Sequence, residues 1–366
     1  MKYPYLIFAF ILCMISCSKG EKSMLADGNI EIIDIPNPGD TTHVLTQDEY
    51  IIDSICALEC PNGNEYFEVT KFMVKNGRTY IMDSRVQQTI FVFDHQGHFL
   101  FKAGEKGRAK NEYIQGPTEF FVDNQNNLHV FDYDGQKIII FNDKGNVDKV
   151  ISTREHIPHT FGLTNDNRYM YAYNQEAKYG AALTIDDEDN KAQDVLIPLK
   201  SEFGFTGYHQ FDSNGNRLSH IPNLSDSIFV YKNSSLEKIV RVDFHGKTIM
   251  NERPDLIYKP TNVSDIENDE FMKYFQTGGV IYLKEYQETD SLQYLTYCYH
   301  AHIHKWLNEK NKNRVICGIQ LFMHKSPLLY HYLVDNQIVT LTAPFFEKEN
   351  DPNEKNCAKV FYIRLK

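Results

Sequence analysis

Apolar residues in this chain come in short runs broken by Asn, Asp and Gly, and a sustained helical period is scarce. Short runs bounded by turn residues predict many strands joined by tight turns. One stretch repeats. Residues 70–97 read TKFMVKNGRTYIMDSRVQQTIFVFDHQG and residues 118–145 read TEFFVDNQNNLHVFDYDGQKIIIFNDKG. Thr70 matches Thr118, Phe72 matches Phe120, Val74 matches Val122, Phe93 matches Phe141 and Gly97 matches Gly145, all at a spacing of 48. Asp83 matches Asp132 at a spacing of 49. Each copy reads as three strands: an inner one, a middle one ending in Asp, and one ending in an aromatic residue before a glycine turn.

A strand-rich period of about 40–50 residues is the signature of a β-propeller blade. A sheet that is apolar on both faces must stack on copies of itself, and the first and last copies must then meet. The segment DEYIIDSICALE (residues 48–59) is predicted to complete the last blade beside the terminal AKVFYIRLK (residues 358–366), which alternates apolar and polar. About 320 residues at roughly 50 per blade predict an all-β, six-bladed propeller, with seven blades also compatible.

The start of the chain departs from this pattern. Residues 5–15 form an uncharged run of eleven after Lys2. That is short of the ~20 apolar residues a membrane span needs and has the layout of a secretory signal peptide. Met14-Ile15-Ser16-Cys17 resembles the bacterial lipobox, with Met14 at the place where Leu is usual. The resemblance implies acylation of Cys17 and cleavage just before it. Residues 1–16 are then a lipoprotein signal peptide, 17–45 a lipidated tether and first extended segment, and 46–366 the propeller domain. Several acyl chains hold a protein firmly on a membrane without spanning it.

Four further stretches carry a wider resemblance. They are GRAKNEY (107–113), LSDSIFVYKNSSLEKIVRVDFHGK (224–247), DSLQYLTYCYH (290–300) and NEKNCAKVFYIRLK (353–366). Their order is similar to that of the six-bladed β-propeller lipoproteins of Bacteroidota, which share the architecture of NHL-repeat propellers. GRAKNEY lacks the inner Gly-Pro-Gly of that family's turn, and His245 is inserted in its closing Asp-Phe-Gly-Lys. The resemblance implies export, lipid anchoring in the cell envelope at the outer membrane, and a propeller. It implies no chemistry.

Charge and candidate chemistry narrow the reading further. A net charge of −11 argues against a nucleic-acid partner. Cys13 leaves with the signal and Cys17 is lipidated, so five of the seven cysteines remain. Cys56 and Cys60 have poor zinc spacing, and most of the five read as small buried hydrophobes, with one disulfide compatible. Asp-Ser-Ile at 53–55 and 226–228 and Asp-Ser-Leu at 290–292 resemble O-glycosylation acceptors and fit equally as strand starts. The acidic run TIDDEDNKAQD (184–194) reads as a solvated hairpin tip. Residues 262–278 predict a helix inserted between blades, with Ser264 and Glu267 as a capping box and Gly278 as its end.

No local signature of a hydrolase, kinase or metalloprotease is present. His300, His302 and His304 alternate along YHAHIHKW and would share one face of a strand. They are the weak metal candidates, and a polar outer strand face explains the same pattern. No cofactor is expected. The reading is a lipid-anchored binding or scaffolding module whose small-molecule, glycan or protein ligand sits at the mouth of the central channel. The alternative is a propeller hydrolase or lyase acting on a sugar or lactone.

Overall fold

One half-buried Thr and one buried Asp set the ends of the first blade. In the computed structural model Lys71–Lys75, Arg78–Asp83, Thr89–Phe93 and Phe99–Ala103 form an antiparallel meander. Its first hairpin turns on Asn76 and Gly77, whose φ values are 50° and 71°. Two residues with positive φ make the turn whose twist matches that of the strands. Thr70 Oγ1 donates to Met82 O at 3.0 Å. The Asp83 carboxylate is fully buried and accepts the backbone N–H groups of Glu68, Arg85, Val86 and Gln87. Charge-assisted bonds of this kind satisfy turn amides that would otherwise be unpaired. Blade two repeats the device: Thr118 Oγ1 donates to Phe131 O, and buried Asp132 accepts from Ile114 and Gly135. The repeat in the sequence is thus a repeat of turn chemistry as well as of apolar residues.

The structure describes residues 29–40, 45–46, 48–59, 68–155, 157–173, 181–186, 192–198, 210–222, 224–258, 269–312, 314–317, 322–323, 326–342 and 356–366. They form six sheets. Blade two consists of Glu119–Val122, Leu128–Asp132, Lys137–Phe141 and Val147–Ser152. Blade three consists of Thr160–Leu163, Tyr169–Ala172, Ala181–Asp186 and Ala192–Pro198. Blade four runs Phe211–Asn214, Arg217–His220, Ser227–Lys232, Ser235–Asp243. Blade five runs Val280–Glu288, Leu292–Tyr299, His302–Glu309, Arg314–Cys317. Blade six has Ser326–Val334 innermost, then Gln337–Thr342 and Asn356–Leu365, with a two-residue strand at Phe322–Met323 extending its first hairpin. Each blade has a fourth, outer strand that the three-strand repeat did not show. In blade two that strand, Val147–Ser152, is largely exposed and lacks a clear apolar pattern.

The ring closes as the sequence suggests. Tyr50–Glu59 pairs antiparallel with Asn356–Leu365, from Tyr50 opposite Leu365 to Leu58 opposite Ala358. It supplies the outer strand of blade six. The same strand is also bonded to blade one. Glu59 N donates to Gly97 O at 2.9 Å, and Phe99 N donates to the Glu59 carboxylate at 3.0 Å. Gly97 adopts φ 88°, and a Cβ there would lie 2.2 Å from Ala57 O. Only glycine allows the closing strand this approach.

A second N-terminal strand lies elsewhere. Asn29–Asp34 runs parallel to Ser235–Asp243 as a fifth, outermost strand of blade four. Glu31 accepts Lys238 Nζ and Gln293 Nε2, both at 2.5 Å, and so ties this strand to blades four and five. Between blades, Lys71 pairs with Glu119, lies 4.2 Å from the Phe121 ring centroid and donates to Phe120 O. On the axis Tyr332 of blade six donates to Ser213 O of blade four at 2.5 Å, and its ring meets Phe72 of blade one edge-on.

Two outcomes test this architecture. Removing residues 356–366 leaves two sheet edges unpaired, and the truncated chain should show no cooperative thermal transition; an unchanged transition contradicts the ring. Asp132→Ala should destabilise by about 3 kcal/mol in urea unfolding, because it removes the buried acceptor of the Ile114 and Gly135 amides and the partner of Lys137. Asp134→Ala, at an exposed neighbour, should stay within about 0.5 kcal/mol.

Candidate functional site

A four-strand antiparallel meander is entered and left at the same end. The blade-to-blade connections and the turns between second and third strands therefore share one face of the ring, here the loop face. The opposite, turn face carries tight hairpins such as 76–77, 215–216 and 335–336. Near the turn face the axis is pinched. Besides the Tyr332 bond, Asn214 Nδ2 donates to Leu333 O at 2.7 Å, and Leu333 N donates to Gln287 Oε1 at 2.8 Å. Blades four, five and six meet directly there.

The main elaboration of that face follows blade four. Helices α1 (Ile249–Glu252), α2 (Asp255–Tyr258) and α3 (Asp269–Thr277) lie between Asp243 and Val280. Thr248 forms a parallel bridge with Val280, and Val280 N donates to Lys247 O at 2.8 Å. The insertion thus leaves and returns at one point. Ile249, Phe271, Tyr274 and Ile281 form its own small core. Arg253 bridges Asp255 at 2.8 Å and Glu270 at 2.9 Å, and Tyr274 Oη donates to Glu252 at 2.6 Å. Gly278 N donates to Tyr274 O at 2.7 Å and ends α3, the end expected for it. Ser264 and Glu267 lie outside the described residues.

Between this insertion and blades four and five is a cavity of about 220 Å³. Leu224, Phe244, Ile249, Val280 and Leu283 give it apolar walls, and Asp226, Thr248 and Asn251 supply polar atoms. The mix of apolar walls and polar atoms is that of a ligand cleft, though the cavity is smaller than the roughly 300–1,000 Å³ usual for one. Its volume suits one ring or side chain rather than a large cofactor. The sequence marked the insertion as a helix but gave no sign of the cavity, because its wall residues are ordinary strand and helix hydrophobes.

The residues singled out in the sequence are scattered. Cys17 lies outside the described residues. His300 and Ala301, with φ of 50° and 60°, form the two-residue turn between Leu292–Tyr299 and His302–Glu309. His300 is therefore not on the strand with His302 and His304, which corrects the expectation of three imidazoles on one face. His304 is buried and stacks on Tyr297, while His302 is exposed. Tyr299 stacks on His300. Among the described residues these three do not gather their ring nitrogens into one group; the group that does form is Asp34, Asp243 and His245. Ser54 is exposed in mid-strand, Ser227 donates to Asp226 at 2.9 Å, and Ser291 lies in a turn. Residues 187–191 of the acidic run are outside the described residues. Cys56 and Cys298 are free thiols. In GRAKNEY, Gly107 N donates to Tyr113 O and the buried Tyr113 donates to Ala103 O at 2.8 Å, which anchors the turn without the missing Gly-Pro-Gly.

Several buried polar groups were invisible in the sequence. Asp123, His129 and Tyr169 are nearly fully buried near the turn face. His129 lies 2.7 Å from Tyr169 Oη and 3.5 Å from Asp123. Burial would raise the Asp123 carboxyl, but bonds from His129, Asn127 and Gln125 outweigh it and hold it down to about 2. Burial and the nearby carboxylates push the Tyr169 phenol far up, so the trio staples blades two and three and offers no nucleophile. Lys305 bonds to buried His331 at 3.0 Å inside the interface of blades five and six, where burial brings the amine down to about 8.

Comparison with known proteins places the chain. Residues 21–328 match the model of the DUF5128 family, described as a 6-bladed beta-propeller. A crystal structure of a Bacteroides fragilis protein assigned as exported superposes with a TM-score of 0.70 at 16% identity, covering 92% of this chain and 100% of that one. A member of the DUF4221 family from Bacteroides vulgatus superposes with a TM-score of 0.52 at 13% identity, covering 88% of this chain and 99% of that one. No curated protein matches. No helix among the described residues is long and apolar enough to cross a membrane. With the repeat, six sheets and ring closure in place, the chain belongs to the DUF5128 family of six-bladed β-propellers.

Proposed function

We propose that this protein is an exported, lipid-anchored binding module of the cell envelope, held on the outer membrane through Cys17, with its ligand at the loop-face mouth of the ring. One observation carries the reading: the anchor side and the pocket side are opposite. Asn29–Asp34 runs parallel to the last strand of blade four, which ends at the loop face. Asn29 therefore enters at the turn face. Twelve residues from Cys17 to Asn29 reach at most about 40 Å. A lipid on Cys17 would thus attach through the turn-face side of the ring, opposite the insertion and its cavity.

The inner-strand carboxylates favour binding over hydrolysis. Glu119 is paired with Lys71, Asp212 accepts Tyr286 N at 3.0 Å, half-buried Glu285 lies 3.7 Å from Lys284, and Glu288 is held by Lys238, Lys310 and Tyr286. Burial alone would raise the Glu288 carboxyl, and the two lysines outweigh it and hold it below its ordinary range. Carboxylates bonded in these ways within the ring are ill-suited to converge on a metal or to act as general acid and base on a sugar or lactone.

The anchor is checked by substitution. Cys17→Ala should abolish radiolabelled palmitate incorporation and move the protein from the membrane to the soluble fraction. A variant that fractionates unchanged, from a wild type that takes up no palmitate, removes the lipoprotein reading.

Binding is checked by thermal shift against a panel of sugars, lactones and short peptides. The account expects saturable stabilisation by one class, recovery of that ligand unaltered, and loss of the shift in Asn251→Trp, which fills the cavity from its exposed rim. A shift indifferent to Asn251→Trp, or no shift from any class, counts against the site. Turnover of a lactone or sugar replaces binding with catalysis.

A further inference from the structure

Asp34 and Asp243 stand directly opposite each other in the parallel ladder that joins the N-terminal strand to blade four. Like charges facing across a ladder are unfavourable, and both side chains are at the exposed loop-face end. The next turn places an imidazole beside them. His245 Nε2 lies 2.6 Å from Asp34 Oδ1, and the His245 backbone N–H donates to Asp243 Oδ1 at 2.7 Å. His245 reaches that position from a left-handed conformation, φ 54°, which a non-glycine side chain seldom adopts.

We infer that Asp34, Asp243 and His245 form a divalent-cation site of the zinc class, which clamps the N-terminal strand to blade four. One ligand atom from each residue lies within 4.8 Å of the other two. Ligands at zinc distances of about 2.0–2.2 Å in a tetrahedron stand about 3.4 Å apart. The Asp34–His245 contact opens by less than about 1 Å to admit the ion, and the exposed turn gives it room. One imidazole and two carboxylates suit zinc better than calcium, which takes six to eight oxygens. The fourth position faces solvent. The ion offsets the repulsion of the two carboxylates. It also links residues 209 positions apart in the chain (243 − 34) at the strand that leads to the tether. The imidazole has no part in the cavity, although Phe244 between the two ligands lines it.

The test uses the full chain purified without a His tag and stripped with a chelator. Titration calorimetry with zinc chloride should show one equivalent bound. Asp34→Asn and His245→Asn should each weaken binding at least about tenfold; Asn tolerates the left-handed backbone, so the second variant keeps the turn. His302→Ala should leave affinity unchanged. Amide exchange in Asn29–Asp34 should slow on adding zinc to the wild type and not to either Asn variant. No saturable heat, or an affinity indifferent to both Asn variants, overturns the site and leaves an ordinary His–Asp pair. Calcium binding as tightly as zinc, unaffected by His245→Asn, overturns the role of the imidazole.

Discussion

The structure depends on one backbone ladder, that between Tyr50–Glu59 and Asn356–Leu365. Every blade is apolar on both faces, so each sheet needs two neighbours, and a row of six has two unmet ends. The ladder joins them. On its inner side Leu58, Val360 and Ile363 have zero exposure, while much of Tyr50–Glu59 faces solvent as the outermost strand of its blade. The closing strand also bonds to the blade-one turn through Glu59 and passes Gly97 at a distance that excludes a side chain. One strand therefore seals a sheet and docks that sheet on the next. Its partner is some 300 residues away in sequence, so this ladder carries the largest loop-closure entropy of the strand pairings in the ring.

Much of this was legible from spacing alone. Thr70, Asp83 and Gly97 recur as Thr118, Asp132 and Gly145 because each sits where a turn amide, a strand end or a positive φ demands that residue type. The alternation of 358–366 marked a half-buried last strand, as found. Other features left no trace. The outer strand of blade two is exposed and carries little periodic signal. The fifth strand on blade four, NIEIID, buries only Ile33 and Glu31 partly or fully and exposes Ile30 and Ile32, so its pattern does not reveal its partner. His300 and Ala301 make a hairpin turn without the Asn-Gly that normally advertises one, and the alternation of imidazoles therefore reads as continuous strand. The cavity is built from residues distant in the chain whose types fit any core.

The proposed function rests on which face is which. Tight turns and the pinch by Tyr332, Asn214 and Gln287 make the turn face a floor. The helical insertion makes the loop face the elaborated one; loops on rigid scaffolds are where binding surfaces usually lie. The N-terminal strand enters from the floor and runs up the outside of blade four to Asp34, beside the insertion. It connects the proposed anchor with the proposed site and is bonded along the way by Lys238, Gln293 and Tyr297, which donates to Pro38 O at 3.0 Å.

The most direct test is native-state amide exchange across the closing ladder. If closure holds the ring together, the amides of Tyr50–Glu59 and Asn356–Leu365 exchange only by global opening, with the same free energy and denaturant dependence as the inner strands of blades one to three. Exchange of the closing strand at a much lower free energy, while the other blades stay protected, would show that the ring survives without its seal and would contradict the account.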